Sequence, residues 1–494
     1  MAQETDTKPA VDETPVPADA KKPSPPPPSK TGSFREESNL VSDLHDHQKK
    51  ALDELRSLLR SALDNNEFSP PPQPPQPPPA AEAINSPAVS TEPAATATEE
   101  ESPPTITAEP SSSVAVEDDG AKTVEAIEST VVPVVAAAPP PVEEAAEEEK
   151  VRAAPDEVSI WRVPLLGDSR SDAILLKFLR ARDFSPKDAL SMIKNTVLWR
   201  REFGIDALAE EDLGVPELGR VVYYDGVDRE GHPVCYNVYG EFQNKEMYEK
   251  AFGDEEKSRR FLRWRIQYLE KGIREMLDFS PGGVSTMVQV TDLRNSPGLL
   301  KAELRQALYL LQDNYPEFVA KQVFINVPWW YLAFNKMISP FLTQRTKSKF
   351  VFAGPSKSLE TLFHYIAPEQ VPVQFGGLSK EKDSDFTTAD AVNLINMKPS
   401  MKQIVEIPVA EKCLLVWELR VVGWDVALGA EFVPSSEDGY TVIIDKKKKL
   451  TAGDEPVVKN SFKINEPGKV VLTVENSSSK KKKLLYRYKA KSSS

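Results

Sequence analysis

The sequence predicts an α/β domain with a small helical unit before it and an all-β sandwich after it, all behind a long acidic, proline-rich region. Three observations support this organisation. Acidic residues and prolines are concentrated before residue 151, strand and helix patterns alternate in the middle of the chain, and the apolar period becomes two near the end. The expected ranges are 1–150, 155–210 for the helical unit, 215–385 for the α/β domain and 395–490 for the sandwich.

The N-terminal region differs in composition from the rest of the 494-residue chain. Residues 1–150 contain 11 Lys+Arg and 29 Asp+Glu, whereas the remainder contains 50 and 46. This region also holds 25 of the 43 prolines and has no Trp, Tyr or Cys. It cannot bury enough apolar surface to offset its chain entropy, so most of it is predicted to be disordered. The net charge of −14 therefore says nothing about partners of the folded part.

One helix, near residues 43–63, is predicted inside this region. Its apolar residues recur at helical spacing: Leu44, Ala51, Leu52, Leu55, Leu58, Leu59 and Ala62. An isolated helix of this length is marginal in water, so it is expected to dock on the folded part, a partner or a membrane. The flanking runs Pro25–Pro28 and Pro70–Pro79 favour polyproline II, either as ligands of proline-reading domains or as a stiff spacer.

The helical unit and the α/β domain follow from apolar periodicity and from turn residues. A helix is expected at Ser171–Arg182, and a second one starts at Ser185-Pro186 and ends at Gly204. A βαβ unit implies parallel strands with a right-handed crossover. The strand candidates are Arg220–Tyr224, Pro233–Tyr239, Val284–Asp292, Lys321–Val327 and Lys349–Phe352, and the further helix candidates are Glu255–Leu277 and Pro297–Asp313.

The last hundred residues have the pattern of an all-β module. Leu415, Trp417, Leu419 and Val421 alternate with other side chains, as a half-buried strand requires. Turn residues separate several such runs, and no helical pattern intervenes. A small β-sandwich is the simplest fold that fits.

A short segment between the last two α/β strands is apolar on every side. A helix of this kind must be buried or must meet something apolar outside its own core. It is too short to span a bilayer, so it is either a core helix or a lid that meets lipid. Its main apolar residues are Trp329, Trp330, Phe334, Met337, Ile338 and Phe341.

Catalytic and metal-binding motifs are lacking in the sequence. It contains no P-loop, no G-x-G-x-x-G and no G-x-S-x-G, and its four His and two Cys do not have the spacing of metal ligands. We therefore predict neither an enzyme nor a metal site. The two distant cysteines indicate a reducing, cytoplasmic setting, and neither a transmembrane helix nor a signal peptide is expected.

Two lysine runs lie beside predicted turns of the β module. They lack interleaved aromatic residues, so nucleic acid is not the expected partner. They suit an anionic membrane surface, at about 1 kcal/mol for each basic residue near it, or they solubilise turns. The runs consist of Lys446, Lys447, Lys448 and Lys449, and of Lys480, Lys481, Lys482 and Lys483.

Several motifs, in order, resemble a known family. FLRARDF (Phe178–Phe184), NYPE (Asn314–Glu317), KSKFVF (Lys347–Phe352) and PVQFGG (Pro372–Gly377) are similar to motifs of the CRAL-TRIO lipid-transfer fold. The β module resembles a GOLD domain. An acidic, proline-rich tail followed by these two domains is the arrangement of the plant patellins, and the resemblance covers about residues 155–490.

The resemblance implies an apolar cavity that holds one lipid under a gate helix, here Trp329–Leu342. No other cofactor is implied, and the bound lipid is expected to be phosphatidylinositol or a phosphoinositide. Lipid-headgroup contacts would fall on Glu317 and Lys349, with Thr346 and Arg182 as lesser ones.

Two departures from the family pattern bear on the ligand. Asp183 replaces a basic residue, and Met287 and Gln289 replace hydroxyl-bearing residues that hold choline. These differences argue against phosphatidylcholine as a second ligand. They leave another hydrophobic ligand, such as a tocopherol or squalene, as an alternative.

The predicted function is non-enzymatic binding and transfer or presentation of phosphoinositides at membranes. By the resemblance, the protein would act peripherally on endomembranes or the plasma membrane, in vesicle traffic and at the cell plate in cytokinesis. The GOLD domain would dock on the membrane or bind a protein partner. The alternative is an adaptor that senses lipid while its proline-rich tail and GOLD domain recruit proteins; a soluble hydrolase would need a nucleophile motif, which the sequence lacks.

Overall fold

A docked helix and a helical unit form the N-terminal part of the folded structure. The computed structural model describes residues 37–69, 158–296, 310–311, 313–329, 331, 344–423, 425–451 and 453–492. The unit contains the short hairpin β1–β2 and three helices, as expected from the caps at Pro186 and Gly204. Its elements are α1 (Asp46–Asp64), β1 (Ser159–Ile160), β2 (Val163–Pro164), α2 (Ser171–Ala181), α3 (Pro186–Phe203) and α4 (Ile205–Glu210).

Helix α1 docks on its own chain, against α2 and α3. Leu52, Leu55 and Leu59 are fully buried in the core that also contains the apolar face of α2. The helix begins at Asp46 rather than near residue 43, because Val41–Asp43 form a 3-10 turn and the His45 N–H donates to the Gln48 side chain at 3.0 Å. Residues 1–36 and 70–150 of the region predicted to be disordered lie outside the described residues.

The central sheet has five strands in the order β3-β4-β5-β6-β7. Strands β3 and β4 are antiparallel, and the remaining pairs are parallel, as the βαβ pattern predicts. The strands are β3 (Val222–Val227), β4 (Pro233–Val238), β5 (Met287–Asp292), β6 (Val319–Ile325) and β7 (Phe350–Phe352). The helices between and beyond them are α5 (Lys245–Phe252), α6 (Glu255–Met276), α7 (Gln344–Lys349) and α8 (Ser358–Tyr365).

Local boundaries differ from the expected ones at a few places. Lys349 ends α7 instead of beginning β7, and β6 is displaced by two residues toward the N-terminus. Most of the predicted helix Pro297–Asp313 lies outside the described residues. Helices α4, α5, α7 and α8 have at most eight residues each, too few for a clear apolar period.

The C-terminal module is a sandwich of two four-stranded antiparallel sheets, which confirms the predicted fold class. One sheet has the order β13-β10-β15-β8 and the other β12-β11-β14-β9. Alternating residues such as Leu415, Trp417 and Leu419 form the core between them. The strands are β8 (Asn393–Met397), β9 (Lys402–Val409), β10 (Cys413–Val422), β11 (Val426–Pro434), β12 (Val442–Leu450), β13 (Val458–Ile464), β14 (Gly468–Asn476) and β15 (Lys482–Ser492).

The sandwich contacts the PVQFGG segment of the α/β domain through Arg420 on β10. Its guanidinium donates to the carbonyls of Val373 and Gly377, at 2.5 and 2.9 Å. Among the described residues, none of the helices is both long and apolar enough to cross a membrane.

Candidate functional site

Two of the predicted headgroup residues meet at one edge of the central sheet. Glu317 lies just before β6, and Lys349 lies just before β7. Because β6 and β7 are adjacent and parallel, their amino ends lie side by side. The Lys349 Nζ atom is 2.5 Å from Oε2 of Glu317, and their side chains are only 15% and 17% exposed.

The backbone at Glu317 is fixed by a buried lysine. Glu317 has a positive φ of 56°, which is uncommon for a residue other than glycine. Its carbonyl accepts from Lys177 Nζ at 3.0 Å, and the same amine donates to the Ser285 carbonyl at 2.8 Å. Lys177 lies on α2 and is 1% exposed, so the helical unit holds this end of the sheet in place.

Arg345 adds another positive charge to the site. Its Nε atom is 3.3 Å from Oε1 of Glu317. Burial alone would raise the pKa of the Glu317 carboxyl, but the charges of Lys349, Arg345 and Lys177 outweigh burial and lower this pKa below its usual value. Glu317 is therefore ionised at neutral pH and can accept hydrogen bonds from ligand hydroxyls as well as from these cations.

Arg180 is a member of the site that sequence reasoning missed. The motif FLRARDF places Arg180 and Arg182 two positions apart, so they lie on different sides of α2. Arg180 shares the buried side with Lys177 and forms an ion pair with Glu37 at 2.9 Å. The apolar stripe of α2 continues toward position 182, so periodicity did not indicate Arg180, which is buried because α2 is packed on almost every side.

The two lesser headgroup predictions have different outcomes. Arg182 is exposed at the end of α2 and donates to the Ala181 carbonyl at 3.1 Å, so the structure does not bring it to Glu317 and Lys349. Helix α2 ends at Ala181, so Arg182 lies past its last turn, whereas Arg180 lies within the helix and is buried. Thr346 belongs to α7, but its side chain lies outside the described residues.

Farther along β5 and β6, one face of the central sheet is only half buried. Gln289 on β5 and Gln322 and Phe324 on β6 are partly exposed, whereas their neighbours Val290 and Val323 are fully buried. Phe324 stacks on Phe352 of β7 with ring centroids 4.9 Å apart. A mixed polar and aromatic face in the middle of a sheet is a suitable wall for a ligand cavity.

The predicted gate helix is described only at its start. Trp329 is 81% exposed, and Tyr331 packs beside Phe324 and Phe352 at centroid distances of 6.4 and 6.0 Å. The remaining predicted gate residues lie outside the described residues: Trp330, Phe334, Met337, Ile338 and Phe341. The role of this segment as a lid remains a prediction.

The two lysine runs do not share a sheet, and the first does not lie in a turn. Lys446–Lys449 belong to the edge strand β12, which carries two bulges against β11. Exposed edge strands favour charged residues and bulges. An exposed strand also needs no buried apolar face, so the four lysines show none of the apolar–polar alternation that would predict a strand. In the second run, Lys480 and Lys481 precede β15, while Lys482 is buried on it.

Comparison with family models assigns domains to most of the chain. Residues 218–377 match the CRAL/TRIO domain, and residues 140–195 match the CRAL/TRIO N-terminal domain. Residues 398–482 match the Patellin-1-like, C-terminal GOLD domain. Among the described residues, no group of His, Cys, Asp and Glu is arranged to hold a metal ion.

Several curated proteins are similar over large parts of the chain. Patellin-3 of Arabidopsis thaliana is 51% identical over 471 residues, which cover 94% of this chain and 79% of that protein. Patellin-5 of the same plant is 62% identical over 68% of this chain and 51% of its own length. A protein of Candida albicans called phosphatidylinositol transfer protein SFH5 is 28% identical over 48% of this chain and 79% of that protein.

The matched domains and the sheet geometry define a CRAL-TRIO protein with an appended GOLD domain, a lipid-binding class that does not catalyse a reaction. Within that class, the chain belongs to the patellin family. The superposition on the crystal structure of Sfh5, at 24% identity over 41% of this chain and 69% of that one, has a TM-score of 0.34, too low to add to this assignment.

Proposed function

We propose that this patellin carries or presents phosphatidylinositol or a phosphoinositide at membranes. The observation that supports it most is the cluster of Glu317, Lys349 and Arg345 at the amino ends of β6 and β7; the half-buried face at Gln322 and Phe324 lies farther along β6. Cations meet the phosphate, the carboxylate accepts from ring hydroxyls, and the aromatic face suits acyl chains.

The names of relatives support the same ligand class. The relatives from Candida albicans and Meyerozyma guilliermondii are both called phosphatidylinositol transfer proteins. A carrier needs no covalent step, because it exchanges one apolar environment for another. We place its action at the membrane surface in vesicle traffic and at the cell plate, with the GOLD domain or the proline-rich tail available to protein partners.

Lipid transfer between vesicles tests this proposal directly. Donor vesicles would contain labelled phosphatidylinositol, acceptor vesicles only phosphatidylcholine, and the purified full chain should accelerate the movement of label. The adaptor alternative predicts sedimentation with vesicles but no acceleration. That outcome would show that the protein senses lipid and does not carry it. If the protein moves labelled tocopherol but not phosphatidylinositol, the ligand is tocopherol.

Replacing Lys349 by alanine should lower phosphatidylinositol loading about tenfold. Hydrogen bonds to charged groups contribute about 1.5–3 kcal/mol, and Arg345 still pairs with Glu317, so the fold should persist. Mass spectrometry of bound lipid measures the loading. Lys357→Ala is the matched control, because Lys357 pairs with Glu360 at 2.8 Å but is 69% exposed. Equal phosphatidylinositol loading of the two variants would show that Lys349 does not contact the headgroup.

A second prediction concerns the end of the β11–β12 hairpin. Tyr440, just before β12, is 89% exposed, and Ile443, on the same strand as Lys446–Lys449, is 64% exposed. Exposed apolar residues beside lysines suit the interface of an anionic bilayer. Three of these lysines also pair with acidic neighbours: Glu475, Asp454 and Asp425.

Changing Lys446–Lys449 to glutamine should weaken binding to vesicles that contain phosphatidylserine by tenfold or more at low salt. The same change at Lys480–Lys483 should have a smaller effect, because Lys482 is buried. Sedimentation at several salt concentrations measures both, since screening should reduce the difference. If the quadruple Lys446–Lys449 variant binds as the unchanged protein does, these lysines serve only to protect an edge strand.

A further inference from the structure

The segment just before α1 reaches into the candidate headgroup site. Oε2 of Glu37 lies 2.9 Å from Nε of Arg180 and 3.1 Å from a terminal nitrogen of Arg345. Arg180 also donates to the Asn39 side chain at 2.6 Å and to the Ser38 carbonyl at 2.7 Å. Three successive residues of the N-terminal region thus contact one arginine of the site.

The cleft that Glu37 enters is the one that the headgroup residues line. Its walls include Arg180, Glu317, Arg345 and Lys349, and Glu37 is itself one of the lining residues. One oxygen of Glu37 lies between two guanidinium groups, which is the position that a phosphate oxygen takes between two arginines. An acidic side chain of the chain itself therefore stands where an anionic ligand would bind.

The charges of the cluster favour an anion at this position. Arg180, Arg345 and Lys349 pair with the carboxylates of Glu37 and Glu317. A fourth cation, Lys177, donates to the backbone carbonyl of Glu317. The side chains of Arg180 and Arg345 are only 7% and 26% exposed. Buried charges need a nearby opposite charge, so departure of Glu37 favours entry of another anion.

We propose that Arg180 and Arg345 form a phosphate subsite beside Glu317 and Lys349, and that Glu37 occupies it until a phosphomonoester of a lipid headgroup displaces it. This inference rests on the proposed function and specifies the ligand as a phosphoinositide with a phosphate on its inositol ring. A phosphomonoester carries more charge than a carboxylate and offers more acceptor oxygens, so it competes well for two arginines.

The anchoring of α1 makes Glu37 an internal competitor rather than a distant one. Leu52, Leu55 and Leu59 bury α1 in the core, and Arg56 pairs with Asp172 of α2 at 2.7 Å. Only eight residues separate Glu37 from the start of α1 at Asp46. A short tether keeps the local concentration of Glu37 high, and the segment can leave the cleft while the helix stays docked.

Replacing Glu37 by glutamine tests the subsite, because it removes the charge and keeps the shape. With vesicles of phosphatidylcholine containing 5% phosphatidylinositol 4,5-bisphosphate, Glu37→Gln should bind about three- to tenfold more tightly than the unchanged chain. Glu54→Gln is the matched control: Glu54 is exposed on α1, and the same charge is removed from the same docked segment. Arg345→Gln added to Glu37→Gln should abolish the gain.

Soluble ligands distinguish the source of the phosphate. Inositol 1,4,5-trisphosphate should bind Glu37→Gln about three- to tenfold more tightly than the unchanged chain in calorimetry, and inorganic phosphate should bind both proteins far more weakly than the trisphosphate does. If inorganic phosphate binds Glu37→Gln as tightly as inositol trisphosphate does, the subsite is a general anion site and the lipid assignment is overturned.

Failure of this inference differs from failure of the carrier function. If the unchanged chain transfers phosphatidylinositol but Glu37→Gln binds both inositol trisphosphate and vesicles as the unchanged chain does, Glu37 is only a surface ion pair and the carrier function stands. If the chain transfers no lipid, the calorimetric comparison still decides the subsite. Hydrogen exchange gives a further check: inositol trisphosphate should speed exchange at residues 38–44 and leave residues 51–62 protected.

Discussion

Replacement of Glu270 by alanine is expected to lower the free energy of unfolding by about 3–5 kcal/mol, because it strands buried positive charge. Glu270 lies on α6 and is fully buried. Arg200 donates two hydrogen bonds to its carboxylate at 2.6 and 3.0 Å, and Arg274 donates a third at 3.1 Å. Tyr315 and Trp161 complete the network at 2.7 and 3.2 Å.

The network joins parts of the chain that are distant in sequence. Arg200 comes from α3, Trp161 from the turn between β1 and β2, and Tyr315 from the NYPE motif two residues before Glu317. Loss of Glu270 should therefore also loosen the helical unit against the headgroup site. Urea unfolding, followed by tryptophan fluorescence, measures the change in free energy.

Glu255→Ala is the matched control on the same helix. Glu255 pairs with Arg259 at 2.9 Å but is 89% exposed, so its loss should cost less than about 0.5 kcal/mol. Similar losses for the two variants would contradict the buried-charge argument. Glu270→Leu combined with Arg200→Met should recover part of the stability, since Arg200 is removed with its partner and Arg274 still pairs with Asp206 at 2.7 Å.

The effect should depend on pH in a defined direction. Burial would raise the pKa of Glu270, but hydrogen bonds and the charge of Arg200 outweigh it and lower the pKa below its ordinary value of 4.5. A lowered pKa in the folded state stabilises the fold above the pKa of the unfolded state, and this contribution is lost as pH falls through the folded-state value. The difference between the two proteins should therefore shrink in acid.

Helix α6 shows how much periodicity predicts and where it stops. The stripe of Leu262, Ile266, Leu269, Ile273 and Met276 predicts the helix almost to its ends. Yet Met276 is 46% exposed, and Glu270 is buried. A glutamate is ordinarily a surface residue. Of its partners only Arg274 lies on the same helix, four residues later, and the others are brought to it by the tertiary fold.

The sequence predicted those residues of the candidate site that belong to recognisable motifs. NYPE and KSKFVF led to Glu317 and Lys349, which the structure places in contact. Arg345 has no motif of its own, and Glu37 lies in a region whose composition predicts only disorder. Composition describes an average over many residues, so it cannot predict that one carboxylate of the region docks in the site.

Only the start of β12 was predicted, as a strand at Tyr440–Ile444, and its lysine part was missed for a related reason. Four consecutive lysines have no alternation, so they indicate a turn or a charged patch rather than a strand. An edge strand needs a partner on only one side, and β11 supplies it through the backbone. Main-chain hydrogen bonds to β11 therefore form this part of the strand, although the side-chain pattern does not predict it.

Replacement of Arg487 by alanine is the second large expected effect, again about 3–5 kcal/mol, and it should fall on the GOLD domain. Arg487 lies on β15, is 3% exposed, and donates to Glu418 of β10 at 2.7 Å. Its other nitrogens donate to backbone carbonyls of the segment that links the two domains: Thr387 at 2.7 Å, Asp390 at 3.2 Å and Leu378 at 3.2 Å.

Without Arg487, a fully buried carboxylate and several linker carbonyls lose a donor together. Glu418 is 0% exposed and keeps only Lys380, at 3.5 Å, among its pairings with charged groups in the described structure. The linker then loses its attachment to the sandwich. We therefore expect both a lower melting temperature, by roughly 6 °C or more, and faster proteolysis near residues 378–390.

Lys489→Ala separates this effect from the loss of any basic residue on β15. Lys489 pairs with Asp390 at 3.0 Å, but it is 46% exposed, so its removal should change stability by less than about 1 kcal/mol. Calorimetry of the full chain gives the melting temperatures, and limited digestion followed by mass spectrometry locates the cleavage. Unchanged cleavage near residues 378–390 in Arg487→Ala would show that Arg487 stabilises only the sandwich, and that contacts such as those of Arg420 with Val373 and Gly377 hold the linker instead.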